Sequence, residues 1–244
     1  LTFNNQQTLK PIRARHITAG VKVVDATRLG ITVEAYQKRY SDYPVASDYP
    51  QLSLANIADT FGQAFLMFPM TSKGIGVARG VESSIEIKPI SRLLFTGTVT
   101  YARNWFSGLD GVLRRGNFDL PLVANVGANC HLGHNTSFAL RYSTASGRPY
   151  TPDNLPLSFT QNRDVYDLTR INAVRAATYS RLDFRLSHSH FFDRSVLTWH
   201  AGLVNALGTT NFYSNQWRPR CPACGVLEQG QMPRLPDAGI QYSF

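Results

Sequence analysis

Cys221 and Cys224 stand two residues apart and are the closest pair of thiols in the sequence. A CxxC spacing can supply half of a zinc site, but no second cysteine pair or histidine pair lies within the usual ligand spacing. His188 and His190 fall on one face of a strand-like segment, where two imidazoles can approach one metal. Neither a carboxylate nor a third histidine stands in register with them, so no metal site is expected. No Ser-His-Asp or paired-carboxylate arrangement is legible, so neither enzyme chemistry nor a cofactor is expected. The densest binding chemistry lies in residues 147–177, where Arg148, Asp153, Arg163, Asp164, Asp167, Arg170 and Arg175 are interspersed with Tyr150, Phe159 and Tyr166. Forked guanidinium bonds and ring stacking from such a mixture suit a polar or anionic ligand. Trp217 offers a further stacking surface in the next long connection.

The elements that must position these groups read as strands. Nine segments alternate with period two, among them Ile17-Ala19-Val21-Val23, Leu29-Ile31-Val33-Ala35, Val81-Ser83-Ile85-Ile87 and Leu93-Phe95-Gly97-Val99-Tyr101. Leu122 to Leu132, Phe138 to Tyr142, Leu182 to Leu186 and Leu197 to Leu203 continue the pattern, and residues 234–244 close it. None carries a helical period. No apolar run approaches the roughly 18–20 residues that a membrane-spanning helix needs. The links between strands alternate strictly: short at 25–27, 89–91, 133–136 and around 193–194, long at 40–75, 105–121, 147–177 and 208–233. Four long loops in alternate positions are uncommon in a soluble sandwich. An outer-membrane barrel has this layout, with short periplasmic turns and long extracellular loops.

The expected fold is therefore all-β: an antiparallel, up-and-down transmembrane β-barrel. In the closing segment Ala238, Ile240, Tyr242 and the terminal Phe244 share one face. With Leu182, Phe184, Leu186, Leu197 and Trp199 they are the expected lipid-facing residues, as is Cys130. Arg181, Asp183 and Arg185 alternate with that set and must look into a wet interior, because an arginine at the bilayer midplane costs about 2–4 kcal/mol. His188 and His190, with Phe191 and Phe192, read as a rim at the periplasmic interface. An odd strand count beginning outside implies an arc of about nine strands from a larger barrel, with residues 1–13 in an outer loop. In an oxidising outer loop Cys221 and Cys224 are expected to form a local disulfide rather than bind zinc. The formal charge is +9. Arg15, Arg79, Arg103, Arg141, Arg181 and Arg234 are spread singly through the strands, which argues against a nucleic-acid groove.

Several stretches, taken in order, resemble the TonB-dependent receptors of the Gram-negative outer membrane: Tyr36–Val45 and Ser53–Ile57, Gly76–Glu82, Gly147–Pro152, Tyr179–Arg185, Gly202–Gly208 and Gly239–Phe244. In Gly76–Glu82 the glycines Gly76 and Gly80 keep the inner face slim while Val77 and Val81 point outward. The resemblance implies that residues 1–244 are the C-terminal part of a barrel of about 22 strands, with the plug domain absent from this chain. It also implies outer-membrane lipid around the barrel, the barrel assembly machinery acting through the C-terminal strand, and the TonB complex acting through the missing N-terminal plug. The implied function is uptake of a scarce, large substrate such as a siderophore, cobalamin or oligosaccharide. A passive porin or structural barrel is the alternative, and an outer-membrane enzyme is a lesser one.

Overall fold

The computed structural model describes residues 5–25, 28–57, 69–221 and 224–244. One ten-stranded antiparallel sheet dominates it. Its path runs through β1 (Arg13–Asp25), β2 (Leu29–Ala46), β3 (Met70–Ile90), β4 (Leu93–Ser107), β6 (Leu122–Gly133), β7 (Thr136–Ala145), β10 (Tyr179–Phe191), β11 (Val196–Val204) and β14 (Leu235–Ser243). The short β5 (Leu113–Arg115) adds to β4. Each strand of the path pairs with its neighbours in sequence order, so the meander of nine segments expected from the alternation is present. Among the described residues β1 and β14 are its open edges, and the sheet does not close. No described helix is long and apolar enough to cross a membrane.

Turn chemistry explains how the chain reverses at one end. β6 and β7 are joined through His134 and Asn135 at φ 45° and 60°, two consecutive left-handed residues of the kind that match the right-handed twist of a hairpin. Gly133, at φ 89°, leads into that turn. The β3–β4 and β10–β11 links are similarly short, and all three lie at the same end of the sheet. The long connections gather at the opposite end.

The register carries the side-chain pattern from strand to strand, because directly opposed residues point to the same face. One row reads Val21, Val33, Ser83, Val99 and Ala124. Farther along the sheet, Leu140 pairs Phe184, which pairs Leu203, and Trp199 pairs Ile240. The apolar face is thus continuous across the path, and its side chains are exposed: Val21 60%, Val99 48%, Phe184 38%, Trp199 39% and Ile240 80%. Leu182, Leu186 and Leu197 are half-buried on the same face, while Tyr242 and Phe244 are exposed. The opposite face is polar: Glu34 pairs Glu82, and Arg141 pairs Asp183, which forms a 2.8 Å ion pair with Arg181.

A single sheet has no second layer, so burial appears only where loops fold over its rim. The buried cluster of Ala46, Leu52 and Ile171, with Ile57 and Leu168 against it, lies at the long-loop end. On the polar face, Gly76 sits under the Phe106 ring, which leaves no room for a Cβ, and Gly80 sits under the Tyr36 ring. The slim inner face read from these glycines therefore has a definite cause, the close passage of an aromatic ring.

Candidate functional site

The long loops are built, not slack. Residues 147–177 contain the short ladder β8 (Pro149–Tyr150) with β9 (Val174–Arg175) and a helix, Leu155–Gln161. Asn154 caps that helix, its side chain accepting from the Leu157 N–H at 3.3 Å, and a proline in the first turn is compatible with the start because no N–H is needed there. Residues 208–233 form a hairpin, β12 (Phe212–Trp217) with β13 (Val226–Gly230). The helix has a local signal in the sequence, the Asn-x-Pro start.

Asp119 is the node of the cluster. Its carboxylate is fully buried and accepts from Arg103 Nε at 3.1 Å, from the Asn104 N–H at 2.8 Å and from Arg175 Nη2. Arg175 also donates through Nη1 to the carbonyls of Asp119 at 2.6 Å and Gly147 at 3.0 Å. One carboxylate thereby ties the 108–121 loop to β4 and to the 147–177 loop. Beside it, Asn172 Nδ2 donates to the Arg115 carbonyl at 2.8 Å and to Asn117 Oδ1 at 2.7 Å.

A second seam joins residues 147–177 to the β12–β13 hairpin. Trp217 is only 3% exposed. Its indole N–H donates to Asn162 Oδ1 at 3.1 Å, its backbone N–H donates to Asp164 Oδ1 at 2.8 Å, and Phe159 meets its ring edge-on at 5.0 Å. Tyr150 stacks on Phe212 at 5.5 Å, and Arg148 donates to the Tyr213 carbonyl at 2.8 Å while its guanidinium lies 5.9 Å from the Phe212 ring. Of the residues read from sequence as ligand-facing, Trp217, Arg175, Arg148 and Tyr150 are therefore spent on holding loops together. Arg163, Tyr166 and Arg170 remain exposed, Arg163 donating to Gln161 at 2.9 Å. Asp119, which sequence reasoning missed, has partners 16 and 56 residues away that no local pattern could reveal.

The remaining candidates are more sparsely placed. Cys221 and Cys224 are bonded as a disulfide in the loop between β12 and β13. Cys130 is a free thiol on the apolar face, opposite Phe138. His188 lies 2.8 Å from the Thr136 hydroxyl and 5.7 Å from the Trp199 ring, while His190 packs edge-on against Phe192 at 4.6 Å. Among the described residues no cluster of three metal-ligating side chains occurs. Asp153 stands out electrostatically: burial first, and then the nearby Asp164 charge, push its carboxyl up to about 6. One of its oxygens is buried without a hydrogen-bond partner.

An exposed apolar belt, a polar opposite face and tied loops at one end are now joined by a direct match. Residues 1–217 match the family described as TonB dependent receptor-like, beta-barrel. The chain belongs to that family. Solved structures of similar fold include the ferric-catecholate import receptor Fiu of Escherichia coli K12, at TM-score 0.59 and 13% identity over 96% of this chain and 27% of that one. The ferric preacinetobactin receptor BauA of Acinetobacter baumannii aligns at TM-score 0.59 and 15% identity, covering 95% of this chain and 29% of its own. The outer membrane transporter YddB of Escherichia coli aligns at TM-score 0.63 and 13% identity, covering 98% and 33%. The likeness to these structures is one of fold, and the receptor barrel segment described here spans about a third of their length or less. No curated protein sequence matches the chain.

Proposed function

We propose that this segment is one wall of an outer-membrane receptor that captures a scarce, large, polar or anionic substrate and passes it inward by TonB-dependent uptake. The observation that carries this reading is the continuity of the apolar face through every strand of the meander, with a charged opposite face and the loops gathered at one end. Such a wall meets lipid on one side and a wet interior on the other. The long loops then face the medium and the tight turns the periplasm. Membrane lipid surrounds the belt, the assembly machinery engages the C-terminal strand β14, and coupling to TonB lies in a plug outside this segment.

Arg163, Tyr166 and Arg170, presented on the scaffold that Trp217, Arg175, Arg148 and Tyr150 hold, are the proposed ligand-facing groups. The receptors of similar fold whose names specify iron chelates favour a ferric siderophore as the substrate class. Guanidinium forks and an exposed phenol are suited to such an anionic, ring-bearing chelate. The test is uptake and binding of a panel of radiolabelled ferric siderophores by the full receptor and by variants lacking 147–177 or 208–233. Loss of binding with retained barrel assembly supports the proposal. Binding untouched by both deletions moves recognition elsewhere.

A further inference from the structure

Asn162 uses both ends of its side-chain amide on the stretch of hairpin that leads to Cys221. Its Oδ1 accepts from the Trp217 indole N–H at 3.1 Å, and its Nδ2 donates to the Pro219 carbonyl at 3.2 Å. The Trp217 backbone N–H is held separately by Asp164 Oδ1 at 2.8 Å. The seam between the two long loops therefore ends at Pro219, just before the disulfide. Beyond it the chain turns back at once. The Cys221 N–H donates to the Arg218 carbonyl at 3.0 Å, the Cys224 N–H to the Cys221 carbonyl at 2.8 Å, and the Arg218 N–H to the Gly225 carbonyl at 3.3 Å. Gly225, at φ 62°, takes the left-handed conformation that returns the chain to β13.

A cross-link that served stability alone would gain little from so short a ring, because the chain entropy it removes grows with the number of residues enclosed. What this ring does restrict is the turn that carries the Pro219 carbonyl to Asn162. The pair also stands open to reagents. Cys224 is exposed and Cys221 half-buried, and the exposed Arg218 and Arg220 precede them. No acidic residue occurs between Trp217 and Glu228. Neighbouring arginines favour a thiolate over a thiol, and a sulfur that is stable as a thiolate leaves faster when its disulfide is attacked.

We propose that Cys221 and Cys224 are a redox-active pair, opened by a small dithiol and closed by a small disulfide, whose state latches or frees the seam between residues 147–177 and the β12–β13 hairpin. In the opening step one thiolate of the dithiol attacks the Cys224 sulfur. A mixed disulfide forms and Cys221 departs as a thiolate, which the charges of Arg218 and Arg220 favour. The second thiolate of the reagent then attacks its own sulfur in the mixed disulfide, releasing Cys224 and leaving the reagent as a cyclic disulfide. Two electrons pass from reagent to protein, and the reagent's two thiol protons end on the two cysteines. With the ring open, Pro219 is no longer held against Asn162, and Trp217 loses the bonds that keep it in place. Because Arg163 follows Asn162 in the chain, the latch also governs the proposed ligand-facing groups; that consequence, unlike the latch, rests on the functional reading above.

The full receptor in vesicles is treated with dithiothreitol, free thiols on the peptide carrying both cysteines are counted by mass spectrometry after alkylation, and hydrogen exchange is followed at the Trp217 amide and across residues 159–165. Reduction without denaturant is expected, with exchange at the Trp217 amide rising on the order of 10-fold, the scale of one lost hydrogen bond. Glutathione disulfide should restore the slow exchange. A Cys221→Ser, Cys224→Ser double variant should exchange fast with or without the reagent. A pair that stays joined until the protein is denatured overturns the proposal, as does exchange that stays slow once both thiols are counted free. If the double variant does not assemble, the wild type before and after reduction decides. Ligand binding that ignores the state of the pair while Trp217 exchange follows it would count against the functional reading, and not against the latch.

Discussion

Replacing Phe184 with arginine probes the apolar face where it is most committed. Phe184 lies near the middle of β10, opposed by Leu140 on one side and Leu203 on the other, and its ring stacks 6.5 Å from that of Phe138. If this face meets hydrocarbon, an arginine there costs about 2–4 kcal/mol near the midplane. Loss of the aromatic contact adds roughly 0.5–1.5 kcal/mol, so a total of about 3–5 kcal/mol is expected. Ser187→Arg is the control: it lies three residues along the same strand on the opposite face, beside Ser137 and His200. A wet interior tolerates that charge, and a change under about 1 kcal/mol is expected. Both variants are compared with wild type by urea titration of the full receptor in lipid vesicles, following tryptophan fluorescence. Equal effects of the two substitutions, or no effect of Phe184→Arg, would refute the assignment of the two faces.

Three further outcomes follow from the loop cluster. Asp119→Ala leaves Arg103 and Arg175 partly buried without their shared carboxylate, so the loops should loosen by about 2–4 kcal/mol while strand pairing persists; limited proteolysis should then cut within 108–121 and 147–177, and an uncut variant would refute the staple. Asp153, with its carboxyl raised to about 6, is neutral in the folded loop well below that pH and must ionise against burial above it. Loop stability should therefore fall as pH rises from about 4 to 7, by at most about 3 kcal/mol and nearer 1 after allowing for its partial exposure. Hydrogen exchange of residues 153–167, corrected for intrinsic rates, reads this directly, and Asp153→Asn should abolish the trend. Mass spectrometry of the non-reduced peptide spanning Cys221 and Cys224 should show the two thiols joined; two free thiols or a bound metal would contradict the disulfide.

The strand meander was legible because every segment pairs with a neighbour in sequence and alternates strictly, so local pattern and tertiary partner coincide. Strand length was not. β2 runs to Ala46 and β3 begins at Met70, well beyond the segments the alternation marks. The pairing shifts register between Tyr40 and Pro44, with Asp42 at φ 55°, and this breaks the period that a sequence reader follows. The loop hairpin at Phe212–Trp217 was hidden for a related reason, since Phe-Tyr-Ser-Asn-Gln-Trp carries little alternation. Trp217 illustrates the limit for sites: its type suits ligand stacking, but its depth depends on Phe159, Asn162 and Asp164 in a different loop. Arg15 and Arg39 make the converse case, standing far apart in sequence and opposite each other in the sheet.

The central claim is that one face of this sheet meets lipid and the other water. Single nitroxide labels placed in turn at positions 181 to 186 of the full receptor in vesicles, read for collision with oxygen and with a water-soluble nickel chelate, test it most directly. The account predicts strict alternation, with oxygen favoured at Leu182, Phe184 and Leu186 and the chelate at Arg181, Asp183 and Arg185. Chelate access to both sets alike would contradict it.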